Sequence, residues 1–180
     1  EMTDVAVDYC RSKGITMYKG ELHEINLEPE TFDVIISIEV IEHINNPHEY
    51  LKEAYKVLRK GGEFYVSTPN FDSLLRYRLK EKYNEIEYPN HLCYYTRKTL
   101  RKLFEMNSFT TKSITSTGIS LTRLRTSKGK SNQSFVSETS DDEMLRYRIE
   151  KSKSLRLFKG TTNSILNLFS AGDSLKGKFI

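Results

Sequence analysis

An alternation of apolar strands and an amphipathic helix constrains the fold of this chain more than any other feature of its sequence. The run FDVIISI at residues 32–38 is apolar at almost every position, which is typical of a strand buried on both faces of a parallel sheet. A helical stretch follows, with Asn46 as its cap, Pro47 in its first turn and Gly61-Gly62 at its end. The strand EFYVSTPN comes next. This order predicts a βαβ unit in an α/β protein with a doubly wound, mostly parallel sheet and helices on both faces.

Further elements are predicted on both sides of this unit. Residues 3–14 read as a helix and residues 15–19 as a short strand, and after EFYVSTPN we expect a helix, an irregular connector, a helix and a strand. Residues 118–142 are rich in Ser, Thr, Lys and Asn and have no period, which indicates a mobile loop or an insertion. Two amphipathic helices are expected after it. The predicted division is therefore a core over 1–117, the loop or insertion over 118–142 and a C-terminal helical segment over 143–180.

The bulk composition describes one globular domain of 180 residues with 37% hydrophobic residues. No apolar run approaches the roughly 20 residues that cross a bilayer, and the first residues lack the basic-then-apolar order of a signal peptide. Two cysteines make no disulfide framework, so a reducing compartment, the cytoplasm, is predicted.

The positive charge is concentrated towards the C-terminus. From Thr111 onward, 13 Lys and Arg stand against 6 Asp and Glu. Such a region is compatible with an anionic partner such as nucleic acid, phospholipid or a phosphorylated glycan, or with a plain solvated surface. The basic residues are scattered, with little aromatic surface among them for stacking bases, so the solvated surface is favoured and nucleic acid is not the expected partner.

Two carboxylates and an imidazole gather where the strand at 32–38 ends. Glu39, Glu42 and His43 are spaced i, i+3 and i+4, and in an open parallel sheet ligands bind outside the carboxyl ends of the strands. The spacing is compatible with a divalent cation, to which His91 can be added, with general-base work by His43, or with simple capping of the strand end. Spacing alone leaves all three open.

The block FDVIISIEVIEHINNPHEYLKEAYKVLRKGGEFYVSTPN, with the later HLCYYTRKTLRKLFEMNSF, resembles class I S-adenosylmethionine-dependent methyltransferases. The ubiquinone-biosynthesis O-methyltransferase type is the most similar. Glu-Val-Ile-Glu-His, Asn-Pro, a helix ending in Leu-Arg-Lys-Gly-Gly and Ser-Thr-Pro-Asn carry the resemblance, which covers residues 1–114. It implies a Rossmann-like fold, S-adenosylmethionine as cofactor, and methyl transfer to an oxygen, less readily a nitrogen, of a small-molecule or glycan-like acceptor.

The resemblance also implies roles for individual residues. His43 matches a histidine near the acceptor and is the candidate base. In relatives that hold a divalent cation such as Mg²⁺, a Glu-x-x-Glu-His motif with a later histidine binds it, which implies Glu39, Glu42, His43 and His91 here. The residues that match the donor site are Glu1 for the ribose, Met2, Gly20, Glu21 and Leu22 around the adenine, and Ser37, Ile38 and Glu39 beside the methionine part.

One part of the family pattern is missing from this sequence. The glycine-rich loop and the first βαβ portion that precede Glu1 in the family are not present, and no other segment supplies such a loop. We therefore expect this sequence to be part of a longer protein and to expose apolar strand edges. The same observation supports an alternative to the enzyme, a non-catalytic methyltransferase-like module that binds a partner through its basic C-terminal region.

Overall fold

The structure is a computed structural model that describes residues 1–83, 85–118 and 151–180. Its helices are α1 (Asp4–Ser12), α2 (Pro47–Val57), α3 (Leu74–Leu79), α4 (Arg97–Met106) and α5 (Lys153–Leu168). Its strands are β1 (Phe32–Ile38), β2 (Leu58–Pro69), β3 (Thr111–Thr117) and β4 (Ser174–Phe179). Short 3₁₀ turns lie at Leu22–Glu24, Ile41–His43 and Lys80–Lys82. In this described part of the chain, none of the helices has the length and apolar character needed to cross a bilayer.

The four strands form one sheet in the order β1-β2-β4-β3. β1 and β2 are parallel and α2 connects them, which confirms the βαβ unit and the α/β class. β4 lies between β2 and β3 and is antiparallel to both. The sheet is therefore mixed in the described part of the chain, and the expectation of a mostly parallel sheet is not met there.

The hydrophobic core lies on one face of this sheet, under α2 and α4. Leu51 and Ala54 of α2 and Leu100 and Phe104 of α4 are fully buried in one cluster with side chains from all four strands. The ring of Phe104 stacks on that of Phe179 with centroids 3.7 Å apart. Burial of this face is what fixes the position of α2, and with it the strand ends that carry the charged residues.

β1 is not buried on both faces, contrary to the sequence prediction. Val34, Ile36 and Ile38 point to the second face and are 52%, 64% and 59% exposed. The reason is that no helix of the described residues covers these three side chains; within the same described residues β1 lies at the edge of the sheet and pairs with β2 alone. The expectation of helices on both faces is not met at β1 in the described residues.

The first half of the chain differs from the prediction in two further places. Residues 15–19 are not a strand, because no neighbouring strand lies beside them in the described residues. Their end instead pairs with the main chain of Glu1, whose carbonyl accepts from Gly20 N at 3.0 Å and whose amino group donates to Tyr18 O at 3.3 Å. α2 ends at Val57, earlier than expected, because Leu58 adopts an extended conformation, pairs with Phe32 and is buried.

The C-terminal part of the chain is where the structure differs most from the sequence prediction. From Lys153 to Leu168 the described residues form one helix, α5, with Gly160 in its interior, whereas the sequence predicted a break between two helices near this glycine. Residues 174–179 form β4, so the prediction of an entirely helical segment over 143–180 is wrong there. Leu175, Gly177 and Phe179 are buried while Lys176 is exposed, an alternation with the period of a strand. The loop predicted at 118–142 lies outside the described residues apart from Gly118, and the division of the chain into three parts stays a prediction.

Candidate functional site

A cavity of about 430 Å³ opens beside the carboxyl end of β1 and the first turn of α2. Such a volume suits a drug-sized ligand. Its described walls combine apolar side chains with carboxylates and contain neither Lys nor Arg: Glu1, Met2, Gly20, Glu21, Leu22, His23, Ile25, Val40, Ile44, Asn46, Glu49 and Tyr50. Five of the eight residues predicted to bind the donor are among them, which are Glu1, Met2, Gly20, Glu21 and Leu22.

Glu1 presents an ionised carboxylate to this cavity. Its Oε1 accepts hydrogen bonds from Thr3 N at 3.1 Å, Thr3 Oγ1 at 2.9 Å and Met2 N at 3.0 Å. These bonds, those from Thr3 first, lower the pKa of Glu1 below its ordinary value. Oε2 has no hydrogen-bond partner among the described residues, so it remains able to accept from a ligand hydroxyl.

The turn opposite Glu1 is held by its own side chains. The main-chain N–H of Glu21 donates to Glu24 Oε2 at 2.8 Å, and the two residues form a capping box around the 3₁₀ turn. Gly20 has a φ of +112°, and a Cβ there would lie 2.7 Å from Glu24 Oε2. The position therefore requires glycine, and the geometry of the turn keeps Glu21 at the cavity wall.

The other three predicted donor residues do not line the described cavity. Ser37 is 2% exposed and accepts a hydrogen bond from the Tyr50 hydroxyl at 3.1 Å, so it meets the cavity only through Tyr50. Ile38 is turned to the second face of the sheet. Glu39 has a φ of +51°, an unusual conformation for a residue other than glycine, and its Oε1 accepts from Ser67 Oγ at 2.8 Å.

A cluster of three metal-ligand side chains lies next to the cavity. Glu42, His43 and His91 each offer one ligand atom, and these atoms all lie within 4.8 Å of one another. The two imidazole rings meet edge to face with centroids 4.8 Å apart. Glu39, which the sequence placed in the same set, is not part of this cluster, because Ser67 holds its carboxylate elsewhere.

Main-chain carbonyls fix the tautomer of both histidines. The Nδ1 atom of His43 is 2.7 Å from Asn90 O, and that of His91 is 2.8 Å from Glu85 O. A carbonyl oxygen only accepts, so Nδ1 carries the hydrogen in each ring. In the neutral rings both Nε2 atoms therefore have a free lone pair, which can bind a cation or take a proton.

Glu42 joins the cluster from a buried position. It is 2% exposed, its Oε2 accepts from Thr68 Oγ1 at 2.9 Å, and its Oε1 lies 4.0 Å from His43 Nε2. Burial raises the pKa of Glu42 above its ordinary value. Its main-chain carbonyl accepts from Leu92 N at 2.8 Å and Cys93 N at 3.0 Å, and this pair of bonds holds the connector that carries His91.

Sequence reasoning missed the residues that connect these parts. The sequence analysis gave no role to Tyr50, which lies in the apolar stripe of α2, and placed Thr68 only in the STPN at the end of a strand. Both use a hydroxyl to bind the side chain of a predicted site residue, Ser37 in one case and Glu42 in the other. A polar hydroxyl at the end of a core strand, as in STPN, is the signal that points to Thr68; the apolar stripe of α2 hides Tyr50.

Comparison with curated proteins finds relatives over the central block. A probable S-adenosylmethionine-dependent methyltransferase of Mycolicibacterium smegmatis is 43% identical over 61 residues, which is 34% of this chain and 24% of the relative. A ubiquinone biosynthesis O-methyltransferase of Parvibaculum lavamentivorans is 49% identical over 41 residues, 23% of this chain and 16% of the relative. The chain thus spans about a quarter or less of the length of these relatives.

Solved structures share the fold. A SAM-dependent methyltransferase, possible histamine N-methyltransferase, from Thermotoga maritima has a TM-score of 0.56 at 24% identity, over 67% of this chain and 58% of that one. A SAM-dependent methyltransferase from Archaeoglobus fulgidus has a TM-score of 0.60 at 18% identity, over 99% of this chain and 73% of that one. These likenesses confirm the Rossmann-like α/β fold.

The family model described as a methyltransferase domain matches residues 5–114. This range includes α1 apart from its first residue, the βαβ unit, the cluster of Glu42, His43 and His91, and the first four residues of β3. The resemblance to class I S-adenosylmethionine-dependent methyltransferases of the ubiquinone O-methyltransferase type is confirmed, and the chain belongs to the methyltransferase domain family.

Proposed function

We propose that the protein transfers the methyl group of S-adenosylmethionine to an oxygen atom of a small-molecule or glycan-like acceptor. The observation that carries this proposal is the placement of two sites on one short segment. Val40 and Ile44 line the cavity, while Glu42 and His43 between them belong to the cluster. A donor in the cavity and an acceptor at the cluster would therefore be immediate neighbours, which is what in-line transfer requires.

The cavity suits the adenosine end of the donor. The Glu1 carboxylate, with Oε2 available, would accept from the ribose hydroxyls. Met2 and Leu22 would contact the faces of the adenine, and Glu21 would meet its polar edge. When bound, the donor supplies a methyl group already activated by its sulfonium charge. The protein's remaining work is then to orient the acceptor oxygen and to remove its proton.

The cluster supports a divalent cation for that second task. Glu42, His43 and His91 would hold it through one carboxylate oxygen and two Nε2 atoms, and metal-ligating histidines typically donate their other N–H to a carbonyl, as both do here. Two nitrogen ligands favour Mn²⁺, Co²⁺ or Zn²⁺ over Mg²⁺. Such a cation lowers the pKa of a bound hydroxyl, which eases loss of its proton.

General-base catalysis by His43 is the second candidate, and the same tautomer supports it. The Nε2 lone pair would take the proton of the acceptor hydroxyl as the oxygen bonds to the methyl carbon and the carbon–sulfur bond breaks. Chelation separates the two candidates. Activity that EDTA abolishes and Mn²⁺ restores supports the cation. Activity that EDTA leaves intact but that falls about 10²-fold in His43→Ala supports the base.

A calorimetric titration with S-adenosylhomocysteine, the product of the donor, tests the proposal before any acceptor is known. Micromolar binding that Glu1→Gln weakens supports a donor site in this cavity. Glu28→Gln serves as the control, because Glu28 is exposed and does not line the cavity. No binding by the unaltered protein, or equal binding by both variants, would contradict the assignment of the cavity.

A further inference from the structure

Two consecutive hydroxyl residues at the carboxyl end of β2 hold the two glutamates of the site apart. Ser67 Oγ donates to Glu39 Oε1 at 2.8 Å, and Thr68 Oγ1 donates to Glu42 Oε2 at 2.9 Å. Successive residues of a strand point to opposite faces of the sheet. Ser67 pairs with Ile38, on the exposed face of β1, whereas Thr68 is fully buried on the core face. One carboxylate is therefore kept on each face.

We propose that Thr68 is a positioning residue for the cation that Glu42, His43 and His91 would hold, an inference that rests on the cation of the proposed function. The Thr68 hydroxyl occupies Oε2 of Glu42, which leaves Oε1 directed at His43 Nε2, 4.0 Å away. A cation that binds here would therefore find the Glu42 carboxylate already in one rotamer, with Oε2 hydrogen-bonded to Thr68 and Oε1 available as a ligand. Fixing a ligand before binding removes the entropy cost of ordering it during binding.

Burial makes this hydroxyl more important than its counterpart at Ser67. Glu42 is 2% exposed, so water cannot replace a lost donor freely, and an unpartnered carboxylate oxygen in such a place is costly. Without the Thr68 hydroxyl, Glu42 would turn to find another partner, and Oε1 would leave its position near His43. A purely structural role for Thr68 predicts something different, namely a loss of thermal stability with an unchanged affinity for the cation.

Mn²⁺ binding to the intact protein tests the proposal without any turnover assay. Calorimetric titration of metal-free protein is compared between the unaltered protein and four variants: Thr68→Val, Thr68→Ser, Ser67→Ala and Glu42→Gln. Thr68→Val preserves the β-branched shape and should weaken binding about tenfold or more, the effect typical of losing a group that orients a ligand. Thr68→Ser keeps the hydroxyl and should stay within about twofold of the unaltered protein. Ser67→Ala removes the hydroxyl on the other face and should leave binding unchanged, and Glu42→Gln should lose most of it.

The outcomes separate a failure of this inference from a failure of the proposed cation. Weak binding in Glu42→Gln with normal binding in Thr68→Val would keep the cluster and overturn the role of Thr68. Equal weakening in Thr68→Val and Thr68→Ser would also overturn it, because the cause would be packing of the methyl group. Binding that no variant changes, or no binding at all, would remove the cation from the proposed function, and this role of Thr68 with it.

Discussion

Replacing Tyr50 by Phe removes one oxygen atom from the wall of the cavity and leaves the ring in place. The lost hydroxyl donates to Ser37 Oγ at 3.1 Å, and Ser37 is 2% exposed. A typical hydrogen bond contributes about 0.5–1.5 kcal/mol net, and up to about 3 kcal/mol when a buried partner is left unsatisfied. We expect the free energy of unfolding to fall by about 1–2 kcal/mol, which for a chain of this size lowers Tm by about 2–8 °C.

Urea denaturation of four proteins isolates the interaction: the unaltered protein, Tyr50→Phe, Ser37→Ala and the double variant. The two single losses should add up to more than the loss in the double variant, with a coupling of about 0.5–1 kcal/mol. Tyr55→Phe is the matched control, because Tyr55 lies on the same helix with its side chain half exposed. Its change should stay within about 0.5 kcal/mol.

Strict additivity of Tyr50→Phe and Ser37→Ala would refute this reasoning. It would mean that the two hydroxyls do not interact in solution, and that Ser37 is held by its place in β1 alone. A loss in Tyr55→Phe as large as that in Tyr50→Phe would have the same force, since the effect would then belong to any tyrosine of α2.

Three further predictions concern the site and the sheet. Because burial raises the pKa of Glu42, the stability that this residue contributes is fully present below the ordinary pKa of 4.5 and is lost as pH rises through the raised pKa. Glu42→Gln should therefore raise Tm in EDTA more at pH 8 than at pH 5. An equal rise in Tm at the two pH values would contradict the raised pKa. Asn70→Asp should lower the free energy of unfolding in urea by about 3 kcal/mol, because the Asn70 amide donates to two main-chain carbonyls at 2.7 and 2.6 Å. Asn45→Asp is the control and should change it little, because Asn45 is exposed. Gly177→Ala should lower the free energy of unfolding by about 1–3 kcal/mol, since the new Cβ would lie 2.5 Å from the Phe179 ring. Gly160→Ala has open space at its Cβ and should raise the free energy of unfolding by about 0.5–1 kcal/mol. Thermal unfolding that shifts in the same direction in both variants would contradict this packing argument.

The sequence predicted the elements whose signals are local. The cap at Asn46, the proline that follows it and the apolar stripe of α2 are all properties of neighbouring residues, and β1 and the start of α2 were found where expected. β4 was missed because its strand character depends on partners far away in sequence: Gly177 and the two lysines beside it fall in the segment predicted as helical, and β2 and β3 on either side make it a strand. The exposure of β1 was missed for the same reason, since burial is set by neighbours and not by the strand itself.

In the candidate site, too, the features set by neighbouring residues were predicted and those set by distant residues were not. Glu42 and His43 are adjacent, so their motif predicted their joint position, and the later His91 was added as an available ligand that the family resemblance also implied. That Glu39 would turn away from them depends on Ser67, which is 28 residues further along the chain. A glutamate in a motif has two equally plausible directions until the strand beside it is known. Sequence alone therefore named the members of the cluster but not which of two carboxylates completes it.

The place of β4 between β2 and β3 has a consequence for how the protein is made. During synthesis β2 and β3 emerge long before residues 174–179, and in the described sheet neither strand pairs with the other directly. Until β4 arrives, each has an open edge, and the stacking partner of Phe104 is absent. Closure of the sheet is thus a late, long-range event, which slows folding and leaves a nascent chain open to strand-pairing with other molecules. For this protein, the interval before residues 174–179 are translated is the period in which a chaperone would have the most to protect.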